Sequence, residues 1–254
     1  MEFFCLPEEA PQWHEHWVNY CREFLTAYGI KHDSIRIHNH EGDELAHYAA
    51  SSVDIEFKFG HGWGELWGIA NRTDYDLKCH AEASGKSMLM TDPMTNRKLH
   101  PYVIEPAVGL DRLVLAFLTD ALRQEAPLEG EKEGRWVLGI HPALAPTTYA
   151  VLPLVKKEPI LGIAQELHSR LTSHVRTDFD MAGSVGRRYR RQDEVGTPWC
   201  VTIDYQSIED DTVTVRNRDT MVQERVHIED IVSQAEAGAR WVERTQLPPA
   251  AISK

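Results

Sequence analysis

Long apolar runs are missing from this 254-residue chain: none approaches the roughly 18 consecutive apolar residues that a membrane-spanning helix requires. The opening residues, Met-Glu-Phe-Phe-Cys-Leu-Pro-Glu-Glu, have neither the basic start nor the apolar core of a secretory signal. Cysteine is scarce. Cys5, Cys21, Cys79 and Cys200 are scattered and none forms a CxxC pair, so neither a zinc site nor a disulfide framework is indicated. A cytoplasmic location is the plain reading. There is no Gly-x-Ser-x-Gly elbow and no Walker P-loop. His14, His16, His38, His40 and His47 lack ligand spacing with a further acid or cysteine, so no metal centre is expected from them. Positive charge is also short, with 27 Lys and Arg against 39 Asp and Glu, a net charge of -12. That balance argues against binding nucleic acid by bulk charge, while permitting a local basic surface on an acidic body.

What is present reads as two successive patterns. Met1–Cys5 is a short apolar strand. After Pro11, the residues Trp13, Trp17, Tyr20, Cys21, Phe24, Leu25 and Tyr28 recur at helical spacing, a core-facing stripe that Gly29 ends. Val53 to Phe59 alternates apolar and charged residues, which predicts a strand with two chemically different faces. Further strands are expected at Glu65–Ala70 and at Pro101–Glu105, the latter stopped by Pro106. From Gly109 a helix is expected whose apolar face is Leu110, Leu113, Val114, Phe117, Leu118 and Ala121. Arg123 to Gly134 is a charged surface loop near a domain boundary. Beyond it come a buried strand at Tyr149–Val155, a helix at Pro159–Leu171, strands at Val175–Asp178, Cys200–Tyr205 and Thr212–Val215, and a last helix from about Glu229. Strands alternating with helices imply an α/β domain with a mostly parallel sheet.

Three segments carry candidate chemistry. In Gly62–Leu77, glycines flank a strand bearing one acid, Glu65, with Arg72, Asp74 and Asp76 close behind. A strand carboxylate can hold magnesium or an ammonium group, and an arginine can fork a carboxylate or phosphate. The same residues also suit a purely structural Arg–Asp pair on a turn. In Val103–Arg112 a strand ends in Glu105, the chain turns at Pro106 and Gly109, and Arg112 falls in the first turn of a helix, a natural place for phosphate. A capped helix with a solvated arginine is the alternative. In Gly183–Pro198, Arg187, Arg188, Arg190 and Arg191 surround Tyr189, a composition suited to RNA through phosphate contacts and stacking. An exposed helix paired with Asp193 and Glu194 is equally compatible.

Taken together these segments resemble the glycyl-tRNA synthetases of the homodimeric class II type. The resemblance runs almost end to end: Met-Glu-Phe-Phe, His47-Tyr48-Ala49, Val53-Asp54-Ile55-Glu56, Gly-Ile-Ala-Asn-Arg-Thr-Asp-Tyr-Asp-Leu, Tyr-Val-Ile-Glu-Pro and His-Pro-Ala-Leu-Ala-Pro from His141 to Pro146. It closes on Arg-Tyr-Arg-Arg-Gln-Asp-Glu-Val-Gly-Thr-Pro and Thr-Val-Thr-Val-Arg-Asn-Arg-Asp-Thr-Met, which resemble the anticodon-binding domain shared with threonyl, prolyl and histidyl enzymes.

The resemblance implies an α/β chain with two parts. Residues 1–146 would be the rear of a class II catalytic domain built on an antiparallel sheet, and 147–254 an anticodon-binding α/β domain. It implies glycine–tRNA ligase chemistry with ATP as its Mg2+ complex, glycine and tRNA-Gly as partners, and a homodimer in full-length members. Glu65, Leu66, Gly109, Leu110, Asp111 and Arg112 fall on ATP-binding segments. Arg72, Glu105, Pro106, Ala107, Val108 and Gly109 fall on the glycine pocket, with Glu105 facing the ammonium, and Arg112 and Glu105 are the catalytic candidates. Arg187, Arg188, Tyr189, Arg190 and Arg191 are the tRNA candidates. Two departures stand out. Ala107 replaces the usual serine, removing a hydroxyl beside the substrate. The chain also starts inside the second class II signature, so the isolated chain is expected to show little or no activity. A split enzyme, or a non-catalytic RNA-binding protein derived from a synthetase, are the other readings.

Overall fold

The computed structural model describes residues 1–127 and 134–237, so part of the expected charged loop at Arg123–Gly134 lies outside the described residues. Two compact units divide between Thr119 and Asp120. The boundary expected from sequence, between residues 146 and 147, lies further along the chain.

The first unit comprises β1 (Phe3–Cys5), α1 (Ala10–Ala27), β2 (Ile35–Asn39), β3 (Ser51–Phe59), β4 (Gly62–Asn71), α2 (Tyr75–Ser84), a small ribbon of β5 (Met90–Thr91) and β6 (Lys98–Leu99), β7 (Tyr102–Val108) and α3 (Leu110–Ala121). Its main sheet has the order β1-β7-β4-β3-β2, and every pairing in it is antiparallel. The alternation in β3 sends Val53, Ile55, Phe57 and Phe59 into the core. Ile69 and Ile104 join them there, and the aromatic stripe of α1, with Trp13, Trp17, Phe24 and Tyr28, packs on this face. His14 is buried with them, its Nε2 3.0 Å from the Ile69 carbonyl. The opposite face carries Asp54, Glu56, Ala70, Glu105 and Ala107, and no helix is needed to bury it.

Three sequence expectations change. β7 does not stop at Pro106 but runs on to Val108. Val103 exchanges hydrogen bonds with Arg72 and Thr73 beside β4. By alternation Pro106 therefore turns its nitrogen towards β1, whose pairing reaches only Ile104, so no ladder bond is lost. β2 was absent from the sequence reading, because an edge strand reading Ile-Arg-Ile-His-Asn carries little apolar signal. Of the apolar face expected of α3 only Phe117 is buried: Leu113 and Ala121 are half-buried, whereas Leu110, Val114 and Leu118 are exposed, and Ala116, outside that face, is buried instead.

The second unit comprises β8 (Leu122–Gln124), β9 (Trp136–Leu138), β10 (Tyr149–Pro153), α4 (Ile160–Thr172), β11 (Thr177–Phe179), α5 (Val185–Val195), β12 (Trp199–Ile203), α6 (Ser207–Asp210), β13 (Thr212–Asn217), β14 (Gln223–His227) and α7 (Ile228–Glu236). Its sheet has the order β11-β10-β12-β13-β14. α4 and α7 cover one face over Tyr149, Val151, Val201 and Val213. α5 covers the other, with Tyr189 on Ala150, Leu152 and Cys200. Burial on both faces explains why β10 has no polar alternation.

The sheet is parallel only across β11, β10 and β12. β13 and β14 run antiparallel, because the connections before them are too short for a parallel crossover. β14, like β2, is an edge strand that the sequence reading did not contain.

Beneath α5 lies a buried ion network. Asp193, wholly buried, accepts from Arg135 at 2.9 Å and from both terminal nitrogens of Arg216 at 2.8 and 3.1 Å. Arg218 is also buried and bonds the carbonyls of Gly196 and Ile140. Removing the Asp193 carboxylate leaves the buried Arg216 without its acid and Arg135 with Glu125 alone. Asp193→Ala is therefore expected to lower unfolding free energy by about 3–5 kcal/mol, and Asp193→Asn by less, as read from urea denaturation midpoints of the full chain.

Candidate functional site

The open face of the first sheet gathers the first two candidate segments. β4 and β7 are neighbours, with Ala70 opposite Glu105 and Gly68 opposite Ala107. Their small side chains make a floor. At its end stands Arg72, just beyond β4. Its Nε and Nη2 fork the Asp76 carboxylate at 2.6 and 3.0 Å, and Nη1 donates to Glu105 at 2.8 Å. The Tyr48 ring lies against the guanidinium plane, 4.1 Å from Cζ. The structural Arg–Asp pair and the site pair thus coexist in one residue. Asp76 sits in the first turn of α2, where the helix dipole favours an acid. The Arg72 hydrogen bond holds its carboxyl below the usual carboxylate range, and the Asp76 bond, then the nearby Glu105 charge, raise Arg72 further above its already high value. One cation faces two carboxylates here, so the cluster carries a net negative charge suited to an ammonium group.

Across the floor, a β-bulge between β3 and β4 lets Glu65 and Gly68 share the open face. A Cβ built on Gly68 would meet Glu65 Oε1 at 3.3 Å and Asp54 Oδ1 at 3.5 Å, so glycine leaves room for both carboxylates. Asp54 is bonded by His40 Nε2 at 2.9 Å. Glu56 is paired with Arg36, which lies 4.6 Å over Trp63. Leu66 is buried in the core, so only its backbone is available to a ligand.

Arg112 extends from the first turn of α3 over Phe59, 5.1 Å from the ring centre. Its Nη2 is 3.1 Å from where a Cβ on Gly64 would stand, a close approach that glycine accommodates without displacing the guanidinium. Gly109, Leu110 and Asp111 are exposed at the start of α3, while Pro106 is buried and Val108 half-buried. Sequence reasoning missed Tyr48 and the His40–Asp54 pair as neighbours of the site. Tyr48 and His40 come from the turn-rich stretch between β2 and β3, which has no periodicity to place its side chains.

The arginines of α5 separate by role. Arg188 is buried and donates to the carbonyls of Pro153 and Gly183, so it braces the fold rather than facing a ligand. Arg191 bonds Asp180 and the Ala182 carbonyl. Arg187 is exposed. It lines an open hollow with Tyr189, Arg190, Asp193 and Arg216. Tyr189 donates to or accepts from Thr202 Oγ1 at 2.6 Å, and Arg216 packs 4.8 Å over its ring. Asp193 does not pair with the arginines of its own helix, since it is taken by Arg135 and Arg216. Burial raises three of the four thiols, Cys5 to about 11 and Cys21 and Cys200 to about 12, which leaves them unsuited as nucleophiles.

Comparison with known proteins matches residues 148–237 to the anticodon binding domain family. The chain is 51% identical over 231 residues to a protein named glycine–tRNA ligase from Alkaliphilus metalliredigens, covering 91% of this chain and 49% of that protein. It is 51% identical over 236 residues to the protein of the same name from Lysinibacillus sphaericus, covering 93% and 50%. The chain thus spans about half the length of the curated relatives it matches. Among solved structures, Giardia lamblia prolyl-tRNA synthetase in complex with prolyl-adenylate superposes with a TM-score of 0.63 at 14% identity, covering 91% of this chain and 45% of that one. The prolyl-tRNA synthetase from Cryptosporidium parvum complexed with L-proline and AMP gives 0.60 at 16% identity, with the same coverages. At these identities the likeness is one of fold.

The His40–Asp54 contact gives the open face a measurable pH response. The Asp54 hydrogen bond raises the His40 pKa above its ordinary value. A raised folded-state pKa stabilises the fold below the unfolded value and loses that contribution as pH rises through the folded one. The NMR titration midpoint of His40 is expected to fall in Asp54→Asn. The stability difference between wild type and Asp54→Asn is expected to shrink as pH climbs through the wild-type midpoint.

Proposed function

We propose that this chain, which belongs to the glycyl-tRNA synthetase family and corresponds to the C-terminal portion of its relatives, serves the ATP-dependent activation of glycine and its transfer to tRNA-Gly. The observation that carries the reading is the Arg72–Asp76–Glu105 cluster at the end of the Gly68, Ala70 and Ala107 floor. Glycine offers only an ammonium and a carboxylate to recognise. A cluster with one excess negative charge attracts the ammonium towards Glu105, while Arg72 keeps one N–H on each terminal nitrogen for the carboxylate. Ala107 leaves the floor without a hydroxyl.

ATP, as its magnesium complex, is the second substrate. Arg112, at the start of α3 over Phe59, suits a phosphate-binding guanidinium, and Glu65 on the open face suits a carboxylate turned towards the metal of the nucleotide. Residues 1–146 would supply this part of the catalytic domain and 147–254 the anticodon-binding domain. In the latter, Arg187 and Arg190 offer phosphate contacts to RNA, while the Tyr189 ring beside them is engaged by the core and by Arg216. A cytoplasmic location and a homodimer of the complete enzyme follow the family.

Glycine-dependent ATP–pyrophosphate exchange tests the catalytic half. The chain alone is expected to be nearly silent. Exchange should appear when the segment of the Alkaliphilus enzyme outside the aligned region is supplied, and vanish again in Glu105→Gln or Arg72→Ala. Silence of the folded, supplemented protein would sink the ligase reading in favour of a non-catalytic RNA-binding protein. For tRNA, Arg187→Ala is expected to weaken binding and to lower the salt-dependence slope by about 0.7–0.9 for each phosphate left unneutralised. Arg188→Ala should instead act through stability. Unchanged affinity and slope in Arg187→Ala would remove this face of α5 from the tRNA site.

A further inference from the structure

The in-plane partners of Arg72 leave one degree of freedom unconstrained. Asp76 and Glu105 both lie at its edge, at 2.6–3.0 Å, and together fix where the guanidinium sits. Edge contacts resist sliding within the plane far better than tilting out of it. Tilt is limited by whatever lies on the faces, and on one face that is the ring of Tyr48, 4.1 Å from Cζ.

We infer that Tyr48 is a positioning residue for amino-acid recognition, acting through its ring to set the plane in which Arg72 presents its two remaining N–H groups. The inference rests on the glycine-pocket reading given above. Its physical basis is twofold. The ring face attracts the cation, and covering one side of the guanidinium sheds water that would otherwise compete for its donors.

The surroundings of Tyr48 support a held ring. Tyr48 is half-buried. Its neighbour His47 contacts it edge-on at 5.3 Å and reaches the Tyr75 hydroxyl at 3.2 Å. Tyr75 begins α2, the helix that also presents Asp76. Ala50 N–H bonds the Asn71 carbonyl at 2.8 Å, tying this stretch to the residue immediately before Arg72. The face and the edge of the guanidinium are thus held by two segments that are themselves in contact through His47 and Tyr75. The Tyr48 hydroxyl has no hydrogen-bond partner among the described residues, so the ring alone carries the effect and phenylalanine should replace it.

The test uses the 15N-labelled full chain, with the Arg72 Nε–H resonance assigned by its disappearance in Arg72→Lys. In wild type and in Tyr48→Phe the proton should be shifted by the ring current and protected from exchange. In Tyr48→Leu the shift and the protection should vanish with the melting temperature little changed. A second arm measures binding of a non-hydrolysable glycyl-adenylate analogue. Tyr48→Leu should weaken it by roughly three- to tenfold, with Tyr48→Phe close to wild type. An unmoved Arg72 resonance in Tyr48→Leu, or equal damage from Tyr48→Phe, would overturn the inference. So would a fall in melting temperature that accounts for the whole drop in affinity. Failure of the underlying reading looks different. If Arg72→Ala binds the analogue as wild type does, the pocket assignment fails, whereas weakening in Arg72→Ala alone, with Tyr48→Leu unaffected, rejects only the role of Tyr48.

Discussion

Arg72 is the residue through which the open face acquires its organisation. Its guanidinium joins the end of β4 to β7 through Glu105, to the first turn of α2 through Asp76, and to the stretch before β3 through Tyr48. Apart from the contact of His47 and Tyr48 with Tyr75, those segments are tied in by backbone ladders and local turns, which fix strands but not side chains. A delocalised, always charged fork suits this junction, because it satisfies two carboxylates in one plane and still offers a face to a ring. A lysine would keep the charge and lose both geometries. The same ion pairing prevents the two acids from repelling each other, and leaves the cluster with the sign that an amino group requires.

The floor beside it depends on absence of bulk. Gly68, Ala70 and Ala107 are adjacent on two paired strands, and Gly64 admits Arg112 close to the backbone. The small side chains leave this stretch of backbone open beside the charged cluster of Arg72, Asp76 and Glu105.

The second unit inverts the usual expectation for an arginine-rich helix. Of the arginines in α5, Arg188 is spent on backbone carbonyls, and Arg191 on Asp180 and the Ala182 carbonyl. Two further guanidinium groups, from Arg135 and Arg216, converge on the buried Asp193 of the same helix. Composition alone made Arg187, Arg188, Arg190 and Arg191 look equivalent. Burial divides them, and with it the division between holding the fold and facing a ligand.

Period and motif made a large part of this protein legible. The alternation of Val53 to Phe59 determined a strand with one core face and one polar face. The aromatic spacing after Pro11 determined a core-facing helix, and the resemblance in three segments pointed to the family that the relatives also name. Those signals are local, and residues within one element report them without knowledge of the rest. What only the tertiary structure decided depends on contacts between distant segments. β2 and β14 are strands because a neighbour pairs with them. Pro106 is tolerated because its nitrogen faces the β1 side beyond the end of the β1 ladder. Asp193 meets Arg135 across 58 residues, and Tyr48 reaches Arg72 from a stretch with no pattern at all. Side-chain partners of this kind are set by which strands lie side by side, and a strand order is a global property that no single stretch of sequence encodes.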